Sequence, residues 1–151
     1  MIAEKRYSSA HPFLILLLMG LGLAQALFAH LRPGDGFTGG AIVALALLAV
    51  TMKNEEARLA SPVALVLFEG VGLAAFLVLS FLGMGATLMY NVLVGRGGVF
   101  GGTLPAGHNG GQLFTSGTIA LFNLSVVLIA AGALGRMARA FFLADSQEVD
   151  R

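Results

Sequence analysis

Glu69 is the one acidic residue inside a long apolar stretch of this chain. An acid near the middle of a membrane helix costs about 2.5–3.5 kcal/mol on insertion scales, so it needs a partner or a task. It lies seven residues past Pro62, hence about 10 Å into its stretch at 1.5 Å per residue. Two readings stand side by side: a proton- or cation-linked carboxylate, and a structural acid bonded to a neighbouring subunit or reached by headgroup water. A lone acid makes no relay, and no lysine or histidine of another stretch lies at its depth. Gln25 and Asn123 form a second polar set at matching heights near the opposite surface. An interhelical hydrogen bond between them would contribute about 0.6–2 kcal/mol, and Ser80 is placed to join it. The third set is the segment His30-Leu-Arg-Pro-Gly-Asp-Gly-Phe-Thr-Gly-Gly40. Here Pro33 ends any arriving helix. Gly34, Gly36, Gly39 and Gly40 permit close backbone approach, and Asp35 stands where it can cap the following helix.

Other chemistry is poorly supported. There are no cysteines, which excludes thiolate metal sites and iron–sulfur ligation. His30 and His108 are too few ligands for a metal site, and His11 falls at the opposite surface. The run Gly95-Arg-Gly-Gly-Val-Phe-Gly-Gly102 has the glycines of a phosphate loop. No strand precedes it and no helix opens directly after it, so it reads as an external loop. No cofactor is implied. The basic residues are scattered, which gives no footprint for nucleic acid.

The elements that must position these residues are membrane helices. The 151 residues are 57% hydrophobic and 11% charged, with a mean hydropathy of +0.86, whereas soluble domains carry about 25% charged residues. An all-α integral membrane protein follows, a single domain over residues 1–151 with four spans. Each approaches the roughly 20 residues that cross a bilayer core. The spans cover about 12–29, 36–52, 62–83 and 117–142. Pro12 suits a first helical turn, and Ser61-Pro62 reads as a cap followed by proline. Lys5, Arg6 and Ala24-Gln25-Ala26 give the first span some signal-peptide character, but three further spans follow at once, which favours a retained helix. Met84–Val94 is too short to cross and is expected to extend the third helix or lie in the interface.

Seven basic residues (Lys5, Arg6, Lys53, Arg58, Arg136, Arg139 and Arg151) fall on one side, and Arg32 and Arg96 on the other. The positive-inside rule then places both termini in the cytoplasm of a cell (plasma or inner) membrane protein. His30–Gly40 and the long glycine-rich connection between helices 3 and 4 face outward. Arg136 and Arg139 are expected to snorkel from the inner end of helix 4. Recurrent glycines suit tight packing on neighbouring helices and subunits.

Two stretches carry a resemblance. His30–Ala46 resembles the H-x-x-P-G-G-G-F-x-G-G-hydrophobic signature of the MnhB/MrpB subunits of Mrp-type multisubunit cation/proton antiporters. Ser116-Gly-Thr-Ile-Ala-Leu-Phe-Asn-Leu-Ser-Val126 looks like the final helix of that family, S-G-T-I-P-L-x-N-L-A-V-G-L-K-V. Glu69-Gly-Val-Gly72 resembles an acid-plus-glycine stretch of its third helix. The chain departs from the pattern at Asp35, where the family has glycine, at Ala120, where it has proline, and at Ile129, where many members carry lysine.

The resemblance implies a membrane subunit without its own catalytic site. It would pack against sibling subunits in the bilayer and help to form or seal a path for Na+ and H+, with Glu69 the ion-pathway candidate. His30, Pro33, Gly34, Asp35, Gly36, Phe37, Gly39 and Gly40 would be the family-motif loop. Related subunits also serve redox-driven complexes of the membrane-bound hydrogenase type, which gives a second reading. A self-contained, homo-oligomeric or assembly membrane protein is a third.

Overall fold

The computed structural model describes residues 2–31, 33–53, 61–82, 84, 87–103 and 113–149, without the side chains of 2–11, 52–53 and 142–149. Its elements are α1 (Ile2–Leu27), α2 (Gly36–Lys53), α3 (Pro62–Leu82) and α4 (Thr118–Val149), with a 3-10 turn at Leu113–Thr115 before α4. Among the described residues no strand occurs. By length and composition, Pro62–Leu82 and Thr118–Phe141 can each cross a membrane, while Pro12–Leu27 and Gly36–Thr51 are shorter apolar helices.

Local signals explain most boundaries. Ser61 caps α3, its Oγ accepting from the Ala64 N–H at 3.2 Å, so that Pro62 stands at the first helical position, where its missing N–H matters least. The first helix does not start at Pro12 as its composition suggests; α1 runs through that residue. It ends at Leu27 in a turn closed by Leu31 N–H to Phe28 O at 2.9 Å. Nor does Met84–Val94 prolong α3. Its described residues are turns, bends and irregular chain, and Met89, at φ 63°, instead donates its N–H to the Ser80 carbonyl at 3.1 Å.

Packing follows the glycines. α4 contacts all three other helices, and α1 lies chiefly on α2. Gly22 of α1 and Gly39 of α2 face each other so closely that a Cβ on either would meet the other's carbonyl oxygen at 2.6 and 2.5 Å. Gly36 abuts Asn123, and Gly40 abuts Val127 and Ala130, so α2 and α4 run parallel. Gly72 abuts Ser125 and Ile129, while Gly132 abuts Leu65 and Glu69, so α3 and α4 run antiparallel. The expectation that Gly36, Gly39 and Gly40 pack on another subunit therefore needs correcting. Their open sides are filled by α1 and α4 of the same chain, because a helix without a Cβ at the contact lets the neighbouring helix approach closely.

The core joins Ala26, Val43, Leu47, Leu65, Val127 and Ala131 from all four helices. Buried hydroxyls bond along their own helices, Thr51 to Leu47 O, Ser80 to Phe76 O and Ser125 to Leu121 O, at 3.0, 2.8 and 2.9 Å. Such i−4 bonds satisfy a buried hydroxyl without a partner on another helix.

Candidate functional site

One end of the bundle gathers the end of α1, the start of α2, the end of α3 and the start of α4, together with the two connections that face them. Asp35 caps α2. One carboxylate oxygen accepts from the Thr38 N–H at 2.7 Å and from the Thr38 hydroxyl at 2.8 Å, and its carbonyl accepts from Gly39 at 3.2 Å. These donors favour the ionised form, the Thr38 backbone bond most strongly, and hold the carboxyl below its ordinary value of 3.8. Phe37 and Thr38 remain exposed beside it.

The two amides hold the same loop from opposite sides. Gln25 donates from Nε2 to the Pro33 carbonyl at 3.1 Å, and Asn123 accepts from the Gly36 N–H at 3.3 Å. The direct Gln25–Asn123 bond suggested by their matching heights is replaced by this arrangement. Both amides reach the depth of the loop, but α2 stands between α1 and α4 and presents backbone to each. Ser80 bonds to Phe76 and takes no part. Gly34 has φ 146°, and the Gln25 amide occupies the place a Cβ would take there. His30, half-buried, donates from Nδ1 to the Leu27 carbonyl at 3.2 Å; a carbonyl only accepts, which fixes the proton on Nδ1. Arg32 and His108 lie outside the described residues, as do Gly83 and Gly85.

The long connection folds back onto α4 through a residue that sequence reasoning passed over. Asn91 accepts at Oδ1 from the Thr118 N–H at 2.8 Å and the Thr118 hydroxyl at 3.1 Å, and donates from Nδ2 to the Ser116 carbonyl at 3.2 Å. It thereby caps α4 from another segment. Gly117, at φ 59°, lies so close to this amide that a Cβ would overlap it, and its N–H bonds to Phe100 O at 2.7 Å. The Ser116-Gly117-Thr118 motif is thus the seat of Asn91. A lone amide inside the apolar stretch Met84–Val94 was the available signal. The glycine run beside it closes on itself through Gly97 N–H to Gly101 O at 2.8 Å, and Gly102 N–H reaches Phe114 O at 2.7 Å.

Glu69 sits away from this end, and it is not alone. Arg136 of α4 reaches its carboxylate at 2.5 Å, with the side chains 45% (Arg136) and 34% (Glu69) exposed. Arg136 therefore does not simply snorkel past the helix end. At Gly132 the α4 backbone lies against the Leu65 carbonyl and the Glu69 N–H, and Gly135 receives the Leu65 side chain. This approach brings the guanidinium within reach of the acid one turn on. Phe76 and Phe122 pack edge to face between the same helices, centroids 5.1 Å apart.

Apolar helices that cross through glycine contacts, with buried hydroxyls bonded along their own helices, pack as helices do in a membrane. The family model described as a domain related to the MnhB subunit of Na+/H+ antiporter matches residues 8–135. The chain belongs to this MnhB-related family, a family of transporter subunits that act within multisubunit membrane complexes. A search among curated proteins gave no match.

Proposed function

We propose that the chain is a four-span membrane subunit of an Mrp-like multisubunit cation (Na+)/proton antiporter, with both termini cytoplasmic and no catalytic site of its own. The family match over residues 8–135 carries this reading. Supporting it, α2 and α4 run opposite to α3, as successive spans of one chain must. In this arrangement the motif loop is the outer rim of the subunit, held by Gln25 and Asn123. The Glu69–Arg136 pair lies in the inner half of the bilayer, about 10 Å from the start of α3, at the edge of the path for Na+ and H+. The glycine-packed helices seal that path against the lipid.

Glu69→Gln removes the charge and keeps the shape. In inside-out vesicles carrying the assembled complex, cation-driven proton flux should fall while the subunits still co-purify. Unchanged flux would remove Glu69 from the ion path. Loss of the chain from a complex that transports undiminished would remove the antiporter role.

A further inference from the structure

The two edges of the bundle differ in what can cover them. On α1 the exposed face is Phe13, Leu16, Leu17 and Leu21, and residues 12–24 hold no charged side chain. Hydrocarbon covers such a surface without penalty. The α3 edge is different. Glu69 and Arg136 stay 34% and 45% exposed even while bonded to each other, at a depth where lipid tails offer no hydrogen bonds.

At about 100° per residue, Val66, Gly70, Leu73 and Leu77 lie on the same flank of α3 as Glu69, and all four are exposed. A Cβ at Gly70 would meet nothing within 4 Å. Glycine inside a helix is less stable than alanine, and nothing among the described residues uses the space it leaves. Gly20 of α1 is equally open, but it has no charged neighbour among the described residues.

We propose that the Glu69 flank of α3 is the docking face for a transmembrane helix of another subunit, which seats in the notch at Gly70 and presents a hydrogen-bonding side chain to the Glu69–Arg136 pair. This rests on the membrane-subunit reading above. The ion pair sets the chemistry of the partner. An apolar helix carrying a hydroxyl, amide or ionisable group at that depth satisfies the carboxylate and guanidinium edges left uncovered, and hydrocarbon does not. The α1 edge faces lipid.

The test uses the whole complex in its membrane. p-Benzoylphenylalanine is placed singly at Val66, Leu73 and Leu17, and the photoadducts are mapped by mass spectrometry. Val66 and Leu73 should link to an apolar segment of a different polytopic subunit, within one turn of a polar residue, and Leu17 to lipid. Adducts from Val66 and Leu73 to lipid alone, or to a second copy of this chain, would overturn the docking face. As a second variant, Gly70→Leu starts from a Cβ with nothing within 4 Å, and so should insert normally yet lose its co-purification with the other subunits. Undiminished co-purification would also overturn the proposal. Where the unsubstituted chain co-purifies with siblings but α3 links only to lipid, the docking face fails and the subunit reading stands. Where it purifies only with itself, both fail.

Discussion

Gly34 and Gln25 share a space that one Cβ would fill, a constraint at the level of single residues. Gly34→Ala puts a side chain at φ 146° and displaces the amide that holds Pro33. The combined strain and lost bond should lower stability by about 1–3 kcal/mol, read as a drop in Tm of the purified complex. Asp35 gives a pH signature. Its folded-state pKa is lowered by the Thr38 bonds, so its contribution is present above the ordinary carboxylate range and is lost as pH falls through the depressed value. Asp35→Asn should retain the cap and flatten that acid-side decline in a thermal-melt series, whereas Asp35→Ala should lower Tm at neutral pH as well. The cap was legible in the sequence because it is local, spanning Asp35 to Thr38. The bonds of Gln25 and Asn123 were not. Counting residues along a helix gives height but not direction, and height alone made the two amides look like each other's partners. The same limit hid Arg136, which counts as a terminal cation until the Gly132 contact shows how near α3 lies.

Among the elements, the start of α4 depends on a residue 25 or more positions away in sequence. Asn91→Ala removes the acceptor for the Thr118 N–H and hydroxyl and the donor to Ser116, and should cost about 1–2 kcal/mol. Hydrogen exchange at Thr118 should quicken with little change at Ala131. Asn91→Asp, which keeps the acceptor oxygens, should restore most of the protection. The α3–α4 crossing is tested by Gly132→Val, whose Cβ would press on the Leu65 carbonyl and the Glu69 N–H at 2.5 and 2.9 Å. Overpacking of this kind costs about 1–3 kcal/mol and should weaken the ion pair beside it. The cores of the four apolar stretches could be read directly, since composition and Ser61-Pro62 mark them. Residues 87–103 could not, because their order comes from bonds to Ser80, Phe114 and Gly117 and not from any periodic pattern.

For the whole molecule, the ion pair is a long-range tie between α3 and α4. Glu69→Arg and Arg136→Glu should each reduce the amount of chain recovered in membranes, and the double exchange should recover most of it. Failure of the double exchange would show that each charge answers to something other than its partner. α4 packs on every other helix, yet it is made after those three. At about 5–20 residues per second, the connection from α3 to the start of α4 occupies the ribosome for roughly 2–7 s. Throughout that interval Gly36, Gly40 and Gly72 lack their α4 counterparts, and Glu69 lacks Arg136. The helix made after the other three is thus the one that joins them. A stalled or truncated translation product ending before Thr118 presents the membrane with Glu69 stripped of Arg136 and with three bare glycine faces.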